Sequence, residues 1–140
     1  MVLRPENFTE QAQEVLNASQ ELVRELRHAQ WDVEHILLAL LQQQGGLTSE
    51  LPEKLGVDPE MVRNRVEEAL KRSPATSYEG SQIYITPRLQ QLMRQANAEA
   101  QRLKDEFIGV EHLLIAIVSE RGGEAAHILR DFGVDQEKVY

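Results

Sequence analysis

The chain has 140 residues, of which 41% are hydrophobic and 27% are charged, a balance that is ordinary for a globular protein with a core of its own. Its net charge of −8 repels phosphate backbones, which disfavours nucleic-acid binding and favours basic polypeptide segments as partners. The absence of cysteine excludes a disulfide framework, a thiolate nucleophile and a cysteine-based zinc site.

In the first half, Thr9 is the predicted N-cap of a helix over 10–27. The buried stripe of this helix recurs at steps of three and four residues: Ala12, Val15, Leu16, Ser19, Val23 and Leu26. Asp32 caps a second helix over 33–43, which is apolar nearly all round and should therefore be the central one. Helices over 48–55 and 59–72 follow, and 73–85 is a predicted linker with a short extended piece at 82–85.

The second half repeats this plan. Thr86 caps a helix that starts at Pro87, and its inward stripe is Leu89, Leu92, Met93, Ala96, Ala100 and Leu103. Helices over 110–120 and 124–132 follow, and Asp135 should cap a fourth. An offset of 77 residues carries Thr9 onto Thr86 and Glu34 onto Glu111 without a gap. Such a constant register indicates an internal duplication.

The duplication predicts an all-α fold. Two four-helix repeats, over about 8–72 and about 86–140, should pack about a pseudo-two-fold axis as one domain spanning 1–140. Each surface site should then occur twice in related form, and a groove should lie where the halves meet. Because the last predicted helix is interrupted at Tyr140, we expect the chain to be a fragment of a longer protein.

Five polar residues carry both a structural and a functional interpretation. Thr9 and Thr86 are first of all N-caps. Glu34 and Glu111 lie near helix N-termini, where a carboxylate offsets the helix dipole by roughly 0.3–1 kcal/mol, and ligand contact is compatible with that role. Asp105 is either a solvated loop acid or a binding residue.

Catalysis and cofactor binding find little support in the sequence. His35 and His112 lack the spacing of a zinc motif, so packing or hydrogen bonding is favoured over metal binding. No phosphate-loop pattern is present, and no nucleophile is placed beside a base, so this chain is expected to be neither an enzyme nor a nucleotide-binding protein. No apolar run reaches the roughly 18 residues of a membrane span, and no signal peptide is evident, which leaves the cytoplasm as the expected location.

Segments 8–16, 33–40, 85–89 and 110–117 resemble the Clp N-terminal repeat domain, the module that begins AAA+ unfoldases and disaggregases. The opening segment and the linker look most like the ClpB branch, with the ClpC branch second. The resemblance implies a homohexameric parent that uses ATP and Mg and, in the ClpB branch, works with the DnaK system. For the isolated domain it implies a monomer that binds unfolded or aggregated polypeptide, or an adaptor protein.

The resemblance also implies site residues. Thr9, Asp105 and Glu111 fall on positions linked to substrate engagement in ClpB-like domains. Thr9 and Glu34, with Thr86 and Glu111, resemble the phosphoarginine-binding positions of ClpC-like domains, which leaves both branches open. One departure is expected to matter: Gln95 and Glu99 stand where ClpB-like grooves expose leucines, which favours a polar or cationic ligand.

Overall fold

The structure is a computed structural model, and it describes residues 5–42, 59–72, 83–120 and 122–131. Within these ranges a 3-10 helix, Pro5–Asn7, precedes six α-helices: α1 Glu10–Glu25, α2 Val33–Gln42, α3 Pro59–Lys71, α4 Pro87–Arg102, α5 Val110–Ser119 and α6 Glu124–Asp131. Two short strands are β1, Gln30–Trp31, and β2, Tyr84–Ile85. The all-α prediction is confirmed. The predicted helix over 48–55, the linker as far as 82 and the segment from 132 onwards lie outside the described residues.

The ends of the first helix in each half match in detail. Thr9 Oγ1 accepts the backbone N–H of Ala12 at 3.1 Å, and Thr86 Oγ1 accepts that of Leu89 at 3.1 Å, so both predicted N-caps are confirmed. The helix predicted to reach Arg27 ends at Glu25 instead, because Arg27 adopts a left-handed φ of 56° that no α-helix continues. Lys104, its equivalent, has a φ of 60°.

Helices α2 and α5 form the centre of the core. Every residue from Val33 to Leu40 is buried, as is every residue from His112 to Val118, which confirms the central position predicted for the all-round apolar helices. The stripes of α1 and α4 pack against them. Leu103 was predicted to point inward but is 41% exposed, because α4 ends at Arg102 and Leu103 begins the turn that follows.

Two reciprocal pairings join the halves. Strands β1 and β2 are parallel, with Gln30 opposite Tyr84 and Trp31 opposite Ile85. Phe8 and Ile108 form an isolated parallel bridge. The offset of 77 residues carries Phe8 onto Ile85 and Trp31 onto Ile108, so each bridge is the symmetry mate of the other. This exchange confirms the pseudo-two-fold relation, and it places the start of each first helix beside the central helix of the opposite half.

Candidate functional site

The first of two quasi-equivalent sites lies where the N-terminus of α4 meets the N-terminus of α2. Thr86 Oγ1–H donates to Asp32 Oδ1 at 2.8 Å. The Arg88 guanidinium contacts three carboxylates: Nη1 lies 3.3 Å from Asp32 Oδ2 and 3.2 Å from Glu34 Oε1, and Nη2 lies 2.6 Å from Glu120 Oε1. Arg88 Nε also donates to Glu120 Oε2 at 3.1 Å. We call Asp32, Glu34, Arg88 and Glu120 the arginine cage.

Burial makes the arginine cage more than a surface ion pair. Glu34 is only 7% exposed, and burial raises the pKa of Glu34, while the Arg88 guanidinium acts to lower it. The hydrogen bonds to Glu120 raise the pKa of Arg88. A buried carboxylate that lost its cation would be strongly unfavourable, so Arg88 is needed to hold Glu34 in this position.

The second site lies at the N-termini of α1 and α5. The Thr9 N–H donates to the Ile108 carbonyl at 3.0 Å, which puts Thr9 beside the first turn of α5. Asp105 Oδ2 lies 2.7 Å from His112 Nε2, and Glu111 Oε1 lies 3.7 Å from His112 Nδ1. The side chains of Asp105 and Glu111 are 49% and 48% exposed. We call Thr9, Asp105 and Glu111 the open acidic site.

Four exchanges of residue type separate the sites: Asp105 stands at the position equivalent to His28 and Gln43 at that of Glu120, and two more lie at the helix N-termini. Gln11 stands at the position equivalent to Arg88, and Gly109 stands at that of Asp32. A Cβ atom on Gly109 would lie 2.5 Å from Glu111 Oε1, so the Glu111 carboxylate folds over the glycine into space that a side chain there would occupy. The open acidic site therefore shares one acid position with the arginine cage, Glu111 at the position of Glu34, and has no arginine at the position of Arg88.

Each site has a buried histidine in the first turn of its central helix, His35 in α2 and His112 in α5, and the two differ in one hydrogen-bond partner. The backbone N–H of Asp32 donates to His35 Nδ1 at 3.0 Å, and that of Gly109 donates to His112 Nδ1 at 2.8 Å. Each ring therefore carries its proton on Nε2 and donates it to the residue seven positions earlier. That residue is His28 for His35, at 2.8 Å, and Asp105 for His112, at 2.7 Å.

The environment of the first half disfavours protonation of both of its buried histidines, His28 and His35. Burial, followed by repulsion from His28, lowers the pKa of His35 to about 4. Burial also lowers the pKa of His28. In the second half the group that accepts from the buried ring is the carboxylate of Asp105 in place of a second histidine.

Folding brings Asp105 next to the consecutive residues Glu111 and His112, and the three together are potential metal ligands. One ligand atom from each of Asp105, Glu111 and His112 lies within 4.8 Å of the other two. Both ring nitrogens of His112 are already hydrogen-bonded, to the Gly109 N–H and to Asp105. The imidazole therefore ties the loop before α5 to the start of that helix, and the two carboxylates are the groups exposed to a ligand.

The five predicted site residues separate into two groups across the halves. Thr9 joins Glu111 and Asp105, whereas Thr86 joins Glu34. The sequence had paired each threonine with the glutamate of its own repeat, as in Thr9 with Glu34. In the structure each threonine lies on the side of the other repeat's glutamate, because the segment before each first helix pairs with the opposite half.

Gln95 and Glu99 were predicted to favour a polar or cationic ligand. Glu99 is only 7% exposed and pairs with Arg102 at 2.8 Å, and Gln95 donates to Glu99 at 3.3 Å, so this carboxylate already has partners within α4. Arg88 and Glu120 were not among the site residues predicted from the sequence. The signal was present, because Arg88 and Asp32 are both charged where their equivalents, Gln11 and Gly109, are neutral.

The fold and the sites define a duplicated helical domain with a related pair of polar sites at helix N-termini. Residues 7–132 match the family described as the Clp repeat (R) N-terminal domain, and the chain belongs to that family. The family resemblance seen in the sequence is thus confirmed. No helix within the described residues is long and apolar enough to cross a membrane.

Relatives come from several branches of the family. The chain is 37% identical over 118 residues to the chaperone protein ClpB of Bacillus cereus, covering 82% of this chain and 14% of that one. It is 34% identical over 132 residues to the negative regulator of genetic competence ClpC/MecB of Bacillus subtilis, covering 94% and 16%. The chain thus spans about a seventh of the length of these relatives.

Solved structures support the fold. The Hsp104 N-terminal domain from Candida albicans has a TM-score of 0.83 at 20% identity, covering 95% of this chain and 86% of that one. A ClpV N-domain in complex with a VipB peptide has a TM-score of 0.74 at 15% identity, covering 96% and 83%.

Proposed function

We propose that residues 1–140 are the substrate-engaging N-terminal domain of an ATP-dependent Clp-type chaperone, and that unfolded or aggregated polypeptide binds at the open acidic site. The observation that carries this proposal is the pair of half-exposed carboxylates, Asp105 and Glu111, beside the Thr9 cap. Similarity to chaperone proteins named ClpB supports the class of parent. The parent would then be a hexamer that uses ATP and Mg outside this segment and cooperates with the DnaK system.

The site offers charge together with apolar surface. The carboxylates can accept hydrogen bonds from arginine, lysine or backbone N–H groups of an extended segment. Leu103 and Phe107 lie two residues to either side of Asp105 and are 41% and 45% exposed, so they provide apolar contacts next to the acids. Exposed ion pairs each contribute roughly 0–1 kcal/mol, so binding should be weak and reversible. A domain that passes substrates to the ATPase ring of its parent must release them as well as bind them.

A two-dimensional NMR titration with an unfolded basic peptide tests the proposal. We expect shifts to cluster at Thr9, Asp105 and Glu111, and both Asp105→Asn and Glu111→Gln to weaken binding several-fold. Glu14→Gln, which removes an exposed acid from α1, is the matched control and should bind as the parent does. Shifts that are centred elsewhere, or that survive both site substitutions, would contradict the proposal.

A second candidate is a domain that docks adaptors or binds phosphoarginine, the role that the resemblance to the ClpC branch implies. The 34% identity to ClpC/MecB over 132 residues supports that branch as the alternative. The ClpV N-domain, which has the same fold, forms a complex with a VipB peptide, and this agrees with either candidate. In the same titration, a peptide carrying phosphorylated arginine distinguishes them. Shifts that require the phosphate would favour the second candidate.

A further inference from the structure

We propose that His112 is the positioning residue of the open acidic site, and that its buried ring holds the Asp105 carboxylate in the orientation in which it meets a polypeptide ligand. The inference rests on the proposed function for this site and deepens it, because it makes peptide binding depend on a residue in the core. The side chain of His112 is only 1% exposed, so its effect on a ligand must pass through Asp105.

Three hydrogen bonds fix the geometry of Asp105. Its backbone N–H donates to the Ala100 carbonyl at 2.8 Å, which fixes the turn after α4. The Gly109 N–H donates to His112 Nδ1 at 2.8 Å, so the ring carries its proton on Nε2 and donates it to Asp105 Oδ2 at 2.7 Å. Within the described residues the other carboxylate oxygen, Oδ1, makes no hydrogen bond, so it is available to accept one from a ligand.

The first half contains the same hydrogen-bonded scaffold without an acid on it. His28 stands at the position of Asp105, its backbone N–H donates to the Val23 carbonyl at 3.0 Å, and the ring of His35 donates to it at 2.8 Å. His28 is buried, whereas the side chain of Asp105 is 49% exposed. The same buried ring thus holds an inward-facing histidine in one half and a carboxylate at the surface in the other.

A carboxylate that is already held in place binds a ligand at a lower entropic cost than a mobile one. Without the ring of His112, the Asp105 side chain would sample several staggered rotamers at the surface, and a ligand would have to order it on binding. Immobilising one such side chain corresponds to an affinity loss of about three- to tenfold. Peptide affinity should therefore depend on His112 only while Asp105 is present.

Two substitutions at position 112 separate positioning from a purely structural role. The amide of His112→Gln ends about where Nε2 lies and can still donate to Asp105, whereas that of His112→Asn ends about where Nδ1 lies and can only accept the Gly109 N–H. Both variants lose a buried ring and should be less stable than the parent. Three-bond NMR couplings to the Asp105 carboxyl carbon should show one rotamer in the parent and in His112→Gln, and averaged rotamers in His112→Asn.

The unfolded basic peptide of the titration measures the consequence for binding. His112→Asn should weaken peptide binding by about three- to tenfold, whereas His112→Gln should stay within about twofold of the parent. In an Asp105→Ala background, which has no carboxylate to hold, His112→Asn should cause no further loss. His35→Asn is the matched control, because it removes the equivalent buried ring from the first half, and it should lower stability without changing peptide affinity.

The inference would be overturned by an ordered Asp105 in folded His112→Asn, by equal losses of affinity in the two position-112 variants, or by the same loss in the Asp105→Ala background. If these variants do not fold, the parent alone supplies the test through the NMR spectrum of its histidine rings and the Asp105 couplings. A His112 proton on Nδ1, or averaged Asp105 rotamers in the parent, would also overturn the inference. The proposed function fails separately, when Asp105 is ordered in the parent but the peptide induces no shifts at the open acidic site.

Discussion

Acidification should destabilise this domain through the His28–His35 pair, and one substitution should remove much of that effect. Both side chains are buried, at 6% and 2% exposure, and the ring of His35 must stay neutral to donate to His28 while accepting the Asp32 N–H. In the second half Asp105 stands at the position of His28 and accepts the hydrogen bond from the buried ring of His112. His28→Asp therefore gives the first half the arrangement of the second.

The magnitude follows from the pKa of His35. The folded state holds this pKa at about 4, below the ordinary value of 6.5, so the stabilisation is fully present above pH 6.5 and is lost as the pH falls toward 4. The shift corresponds to a total of about 3 kcal/mol, of which about 2 kcal/mol is lost between neutral pH and about pH 5. A carboxylate at position 28 stabilises the imidazolium of His35, so His28→Asp should reduce this loss by about 1–2 kcal/mol.

Urea unfolding at about pH 7.5 and about pH 5 measures the difference, since protonation of the many exposed carboxylates affects parent and variant alike. His127→Gln is the control, because His127 is exposed and pairs with Asp131 at 3.5 Å. The free energy of unfolding of this variant should depend on pH as that of the parent does. Histidine ring NMR gives the direct check. A His35 pKa at or above 6.5 in the parent would refute the reasoning, as would an equal acid-induced loss in His28→Asp.

Three further predictions concern stability and can be measured by thermal or urea unfolding. Gly123→Ala should lower stability by about 1–3 kcal/mol, because its Cβ would displace the glutamate and the arginine that form the cage, whereas Gly122→Ala meets nothing within 4 Å and should be neutral within about 0.5 kcal/mol. Thr86→Ala should cost about 1 kcal/mol more than Thr9→Ala, because Thr86 caps its helix and also donates a hydrogen bond across the halves; equal losses would contradict this. Leu113→Ala removes a fully buried side chain from α5 and should cost about 2–5 kcal/mol, and a loss below about 1 kcal/mol would argue against its place in the core.

The two halves of the domain differ in how far their acids are exposed. A duplicated fold supplies two equivalent positions, but only the open acidic site presents half-exposed acids. The arginine cage instead joins α4 to the N-terminus of α2 and to the residue after α5, so it contributes to the packing of one half on the other. One site is thus paired internally, whereas the acids of the other are half-exposed.

The sequence by itself determined the helices that the structure describes, the two threonine caps and the duplication. Apolar periodicity marks α1 and α4, the all-round apolar runs mark α2 and α5, and these are local patterns that a chain carries whatever it packs against. The constant offset of 77 residues also predicted the pseudo-two-fold relation. The sequence did not predict where α1 ends. The helix stops before Arg27, whose backbone is left-handed, and arginine rarely adopts that conformation.

Only the tertiary structure decided which residues share a site. The β1–β2 pairing and the Phe8–Ile108 bridge bring each first helix to the opposite half, so Thr86 meets Asp32 and Thr9 meets the start of α5. Contacts between residues more than fifty positions apart leave no periodic trace in the chain. The arginine cage depends on such contacts, because Arg88 and Glu34 belong to opposite halves and meet only where the halves pack together.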